Sequence, residues 1–169
     1  ALTEVQSALE LEPGYIDALN LLAHLQLRAA DLPGALATYE RSLEARPDQG
    51  LTVLAVGYLL QDAGRSPEAI VRFEEAAALG EADAWFALAR LAVDGGDEVE
   101  GRRLLEEEYF ARTKGGRKYT EALALKADLD RRRQLRFAAG SGGLMLALGL
   151  PLVVLTRRRT GWTLRVLLE

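Results

Sequence analysis

The chain has 169 residues, of which 49% are hydrophobic and only 7% aromatic, with Ala and Leu supplying most of the apolar material. That balance favours helices over strands. Cysteine is absent and His24 is the only histidine, which excludes a disulfide scaffold, a thiol nucleophile, an iron–sulfur centre, a zinc knuckle and most histidine-based metal sites. The net charge of −4 hides a split: residues 1–130 carry 24 acidic and 13 basic side chains, whereas residues 131–169 carry one acidic and eight basic. An acidic body argues against a nucleic-acid partner.

Three segments superpose along the first half of the chain: 1–13 (ALTEVQSALELEP), 31–47 (DLPGALATYERSLEARP) and 64–79 (GRSPEAIVRFEEAAAL). Each carries a small residue, a bulky one four later and a small one three after that: Ala1, Val5, Ala8; Ala35, Tyr39, Ser42; Ala69, Phe73, Ala76. These offsets share one helix face, on which small residues admit a neighbouring helix and the bulky one fills the space between. Another helical segment precedes two of these and recurs at 82–93: Leu19, Leu22, Ala23; Val53, Val56, Gly57; Trp85, Leu88, Ala89. The spacing is 34 residues from Leu19 to Val53 and 32 from Val53 to Trp85, a period in the range of helix-pair solenoids. Asp31, Ser66 and Asp97 read as helix N-caps, and Gly64 and Gly95-Gly96 as helix stops.

The pattern resembles the tetratricopeptide repeat. Trp85, Leu88 and Ala89 match its Trp-x-x-Leu-Gly, and the small–aromatic–small triplets, followed by Pro13 or Pro47 in two cases, match its second helix. The resemblance covers about two thirds of the chain and implies an all-α, right-handed superhelical solenoid of antiparallel helix pairs. Residues 1–15 are then the second helix of a truncated repeat, with repeats at 16–49, 50–81 and 82–114. The unit that ends at residue 81 is two residues short and has Gly80 and Glu81 where a closing Pro is expected, and the atypical last unit places Gly101, Leu105 and Glu108 at the triplet positions.

Gly115-Gly116 reads as a hinge, and 119–136 as a further capping or linker helix with Ala122, Leu125 and Leu129 on one face. From Phe137 to Thr156 there are 20 residues without a charge, with Arg131–Arg133 and Arg136 before them and Arg157–Arg159 after. As a helix this stretch measures ~30 Å, a hydrocarbon core's thickness. The expectation is a single-pass membrane protein: a transmembrane helix over 137–156 and a basic juxtamembrane tail over 157–169, with the side of the repeat domain undetermined because both flanks are equally basic. Ala139, Gly143 and Ala147 form a small-residue stripe, read as a homodimer contact within the membrane. The chain begins without Met and ends within an apolar segment, Leu164–Leu168, so it reads as part of something longer.

There is no Gly-rich phosphate loop, no Gly-x-Ser-x-Gly and no His-Glu-x-x-His, and the carboxylate runs such as Glu106–Glu108 fit a solvated helix face. No catalytic, cofactor-binding or metal-ligating residue is expected. In a stacked array the first helix of each pair lines the concave side, and the positions beside the stacking face point into it. These are Asn20, His24 and Arg28 in the first unit, Leu54, Tyr58 and Gln61 in the second, and Phe86 and Arg90 in the third. Hydrogen-bond donors beside apolar anchors suit a peptide or a helix of a partner protein. The expected function is therefore a membrane-anchored interaction scaffold. A second reading is the sensor and anchor half of a membrane signalling enzyme whose catalytic domain lies beyond Glu169. A third is a soluble assembly factor with a buried C-terminal helix.

Overall fold

The computed structural model describes residues 2–115, 118–147, 152–158 and 161–167, with side chains described as far as Phe137 and at Ala139. The chain divides into two compact units, residues 1–123 and 124–169.

The first unit is all-α. Its elements are α1 (Leu2–Leu11), α2 (Ile16–Arg28), α3 (Leu32–Ala45), α4 (Gly50–Asp62), α5 (Ser66–Ala78), α6 (Ala82–Asp94) and α7 (Glu98–Arg103); a π-helical segment (Leu104–Tyr109) and a last turn, α8 (Phe110–Arg112), continue α7 without a break. The first turn of α9 (Tyr119–Ala147) completes the unit. Consecutive helices pack on one another as hairpins, α2 with α3, α4 with α5, and α6 with α7 and the π segment, and each hairpin stacks on the next through α3 with α4 and α5 with α6.

The repeated triplets build the core. Ala35, Tyr39 and Ser42 of α3 and Ala69, Phe73 and Ala76 of α5 are all buried, against Leu19 and Ala23 of α2 and Val53, Val56 and Gly57 of α4. Full burial of Phe73 is worth roughly 1.5–3 kcal/mol. Gly57 is small because it must be: a Cβ at this position would lie 2.6 Å from Cε1 of Phe73.

Four of the turns share one solution. Ala30, Gly64, Gly80 and Gly96 have φ of 60°, 74°, 95° and 91°, the left-handed conformation of a helix C-terminal cap. The following amide in each case donates back to the preceding helix: Asp31 N to Gln26 O at 2.9 Å, Arg65 N to Leu60 O at 2.8 Å, Glu81 N to Ala76 O at 3.0 Å and Asp97 N to Ala92 O at 2.8 Å. Asp31 and Asp97 cap the next helices, accepting from Gly34 N and Glu100 N at 2.9 Å each. Ser66 differs from its expected role. It is already inside the first turn of α5, Arg65 stands at the cap without a side-chain cap bond, and the Arg65 guanidinium instead pairs with Glu68.

The third pair departs from the triplet rule for a geometric reason. In an α-helix the residue seven after Gly101 is Glu108, and the sequence puts that side chain in the core. The π segment adds one residue to the turn, so Tyr109 joins Gly101 and Leu105 in the buried set, with Leu104 beside them. Glu108 is half-buried and forms an ion pair with Arg112, whose guanidinium lies 5.4 Å from the Trp85 ring centroid.

The second unit corrects the membrane assignment. Among the described residues no helix is long and apolar enough to cross a membrane. The expected linker helix over 119–136 and transmembrane helix over 137–156 are not two elements. A single helix, α9, runs from Tyr119 to Ala147 and takes the Arg131–Arg136 cluster into its body. Beyond it, Leu152–Arg158 and Gly161–Leu167 are antiparallel strands β1 and β2, in the register Leu152↔Leu167, Val153↔Val166 and Leu155↔Leu164. The chemistry explains the difference. Gly140, Gly142, Gly143 and Ser141 dilute the apolar run, Pro151 has no amide to extend a helical ladder, and the Val/Leu run beyond it suits a strand. The expected tail over 157–169 supplies the second strand and part of the first. Residues 148–151 of the expected span lie outside the described residues. Without a span, the argument for in-membrane pairing through Ala139, Gly143 and Ala147 loses its premise; all three lie in α9, and Ala139 is exposed.

Candidate functional site: the face built by the first helices

The face of interest is built by α2, α4 and α6. Its residues emerge one per turn, so Asn20, His24 and Arg28 follow one another along α2, Leu54, Tyr58 and Gln61 along α4, and Phe86 and Arg90 along α6. They do not share one environment. His24, Arg28 and Arg90 are exposed, and Asn20, Tyr58 and Gln61 are half-buried. Leu54 and Phe86 are 7% and 3% exposed and belong to the packed interior. The exposed apolar atoms near them come from Leu21 and Leu51, at 48% and 71%.

Asn20 is held by a buried hub that the sequence reading missed. Gln49, just before α4, donates from Nε2 to the carbonyl oxygens of Ser42 at 2.8 Å and Arg46 at 2.7 Å. Its Oε1 accepts from Asn20 Nδ2 at 3.1 Å and from Thr52 Oγ1 at 3.4 Å. One amide thus ties the first pair to the second, gives the Arg46 carbonyl a partner at the end of α3 and adds a second donor to the Ser42 carbonyl, which the Arg46 amide also reaches. In the sequence Gln49 stands between Asp48 and Gly50 and reads as loop. On the second-helix side, Arg72 of α5 bridges the repeats to Glu40 of α3, Nη2 lying 2.8 Å from both carboxylate oxygens.

His24 sits edge-on to Tyr39, ring centroids 6.1 Å apart. Tyr58 packs edge-on against Phe73 at 5.1 Å. The third pair adds a line of rings: Phe86 to Tyr109 at 5.9 Å, Tyr109 to Phe110 at 5.4 Å and Phe110 to Tyr119 at 5.6 Å. The hydroxyls of Tyr58 and Tyr109 are both buried; that of Tyr58 has no hydrogen-bond partner, and that of Tyr109 has the Asp83 carboxylate beside it. Burial, then the Asp83 carboxylate, pushes each phenol up to about 12, with Glu121 adding to both and Arg90 opposing at Tyr58. The structure therefore brings Tyr58 and Arg90 into one electrostatic neighbourhood with Asp83, Tyr109 and Glu121. Tyr109 and Glu121 were not among the sequence-predicted residues. The apolar character of Tyr109 one place beyond the expected Glu108 was the available signal.

Among the described residues no group of three or more His, Asp or Glu side chains is arranged to hold a metal. The chemistry of the face is that of hydrogen bonding and apolar contact. Stacked antiparallel hairpins with a small–bulky–small second helix define a tetratricopeptide-like solenoid. No family model and no curated protein matches the sequence. Solved structures share the fold. Two crystal structures of MamA superpose with a TM-score of 0.67 at 15% identity, over 83% of this chain and 81% or 76% of theirs. The type III secretion chaperone SycD of Yersinia enterocolitica, solved in complex with a peptide of the translocator YopD, superposes with a TM-score of 0.62 at 15% identity, over 69% of this chain and 93% of its own.

Proposed function

We propose that the chain is a non-catalytic protein-interaction module that holds a peptide or helix of a partner against the first-helix face, through Asn20, His24, Arg28, Tyr58, Gln61 and Arg90, with Leu54 and Phe86 beneath them. The observation that carries this reading is the composition of the face. Exposed donors, His24, Arg28 and Arg90, stand on the same set of helices as exposed Leu21 and Leu51. That mixture supplies bonds to a ligand backbone and contact for its side chains. The peptide carried by the fold neighbour SycD supports the same use of a stacked-hairpin surface.

The test compares capture by the full chain with capture by two full-chain variants. A triple substitution, His24→Ala, Arg28→Ala and Arg90→Ala, removes the exposed donors. Val71→Ser alters an exposed position on α5. The expected result is a captured protein whose affinity falls by roughly tenfold or more in the triple variant and is unchanged in Val71→Ser. Equal capture by all three chains, or none by the folded wild type, refutes the reading.

A further inference from the structure

Asp17, in the first turn of α2, is exposed and forms no ion pair among the described residues. Leu21 follows four residues later, on the same line along the helix, and is exposed too. On α4 the exposed leucine is Leu51, in the first turn. The Gln49 hub fixes the spacing of these segments: its amide oxygen accepts from Asn20, the neighbour of Leu21, and from Thr52, the neighbour of Leu51. The first two hairpins thus present one unpaired carboxylate and two uncovered leucines on a braced scaffold.

The complementary chemistry stands on α9. Ala122 and Leu129 of this helix are buried, but from Arg131 to Phe137 every residue is exposed. Arg131 and Leu135 are four apart and share one line along the helix. Leu135 is 64% exposed, and Arg131 forms no ion pair among the described residues. Arg132, three residues before Leu135, is held by Asp128 at 2.6 Å. A cation four residues before an uncovered leucine on α9 therefore matches an acid four residues before an uncovered leucine on α2. The wider charge follows the same division, 24 acidic against 13 basic side chains over residues 1–130 and one against eight over 131–169.

We propose that residues 131–135 of one copy dock on the Asp17, Leu21 and Leu51 patch of a second copy, with Leu135 against the two leucines and the Arg131 guanidinium on the Asp17 carboxylate. A second copy is the occupant because every chain carries both halves of the match, and their opposite charges steer one onto the other. The contact joins two different surfaces, so it repeats from copy to copy, giving a ring where the rotation closes and a filament where it does not. This inference rests on the first-helix face being a binding face, and it names the chain itself as a ligand of that face.

Sedimentation velocity of the full chain tests it. Concentration-dependent multimers are expected in ~0.1 M salt, where charges are screened over about 10 Å, and roughly tenfold or more weaker association in ~1 M salt, where the length is about 3 Å. Asp17→Arg and Arg131→Asp each set like charges face to face and are expected to weaken association roughly tenfold or more. Mixed in equal amounts, the two variants are expected to regain it, because every contact between them again joins opposite charges. Leu51→Ser is expected to weaken association, and Val99→Ser, at an exposed position on α7, to leave it unchanged. A chain that stays monomeric at both salts, single charge variants that associate like the wild type, a mixture that stays monomeric, or equal effects of Leu51→Ser and Val99→Ser overturns the proposal. Self-association in the expected pattern, with no foreign protein captured, refutes the scaffold reading and leaves the self-contact standing; capture without self-association does the reverse.

Discussion

Ala30 is the position where the chain departs from its own solution to a recurring problem. Gly64, Gly80 and Gly96 take the left-handed conformation at equivalent turns, whereas Ala30 takes it with a Cβ, at φ 60°. That conformation costs an L-residue about 1–2 kcal/mol. Replacing Ala30 with Gly removes this cost and adds about 0.4–1 kcal/mol of backbone freedom to the unfolded chain. Ala30 is exposed, so no packing is lost. The net expectation is a gain of about 0.5–1 kcal/mol, a rise in Tm of roughly 1–4 °C for a chain of this size. Urea unfolding followed by far-UV circular dichroism measures it, with an unchanged slope showing that the change lies in stability and not in surface exposed. Gly64→Ala, Gly80→Ala and Gly96→Ala are the mirror experiment. A Cβ at these positions meets nothing within 4 Å, so their losses of similar size isolate the backbone term. If Ala30→Gly destabilises the chain while Gly64→Ala costs nothing, the assignment of strain to φ is refuted.

Gly57→Ala drives a methyl group into the Phe73 ring, 2.6 Å from Cε1, and is expected to cost about 1–3 kcal/mol by thermal unfolding. Gln49→Met keeps the volume but leaves the Arg46 carbonyl and the Asn20 amide without their Gln49 partner and takes one of two donors from the Ser42 carbonyl; a loss of about 1–3 kcal/mol in urea is expected, and a neutral result refutes the hub. Tyr58→Phe deletes a buried hydroxyl that makes no bond, so its thermal midpoint is expected to equal or exceed the wild type's. Because folding raises the Tyr58 and Tyr109 phenols to about 12 from 10, the folded state binds their protons more tightly than the unfolded state does. Their contribution to stability is complete below pH 10 and is lost as the pH climbs from 10 through 12. Burial raises Tyr39 as well, so ultraviolet phenolate titration of the folded chain should show three of the five tyrosines ionising late, and five ionising together near 10 contradicts the burial argument.

What the sequence made legible is what local spacing controls. Offsets of four and three put Ala35, Tyr39 and Ser42, and Ala69, Phe73 and Ala76, on one face, and all six are buried. Asp31 and Asp97 were legible as caps because an N-cap interaction reaches only three residues ahead. Where the period is not 3.6 the method breaks. Glu108 falls at the third triplet position, seven after Gly101, because nothing in LLEEEY announces a π turn. Gln49 was invisible because its partners, apart from Arg46 and Thr52, come from Ser42 and Asn20, further along the chain than a local pattern reaches. The same holds at the end of the chain. A charge-free stretch between arginines does not distinguish one helix from a helix followed by a strand, because pairing of Leu152–Leu155 with Leu164–Leu167 depends on a second segment. On the candidate face, residue type marked out the donors, but it did not separate exposed Arg90 from buried Phe86 four places earlier.

A residue gained in the middle of an α-helix swings every later side chain about 100° around the axis. The wide turn at Leu104–Tyr109 takes up such a surplus within six residues, so the rings of Tyr109 and Phe110 still meet their neighbours. Removing any one glutamate from Glu106–Glu108 would set the tyrosine seven places after Gly101, where the two preceding hairpins carry Ser42 and Ala76. The last hairpin is therefore the place where this chain tolerates a change of length, while a lost residue in α3 or α5 would put every contact beyond it out of phase.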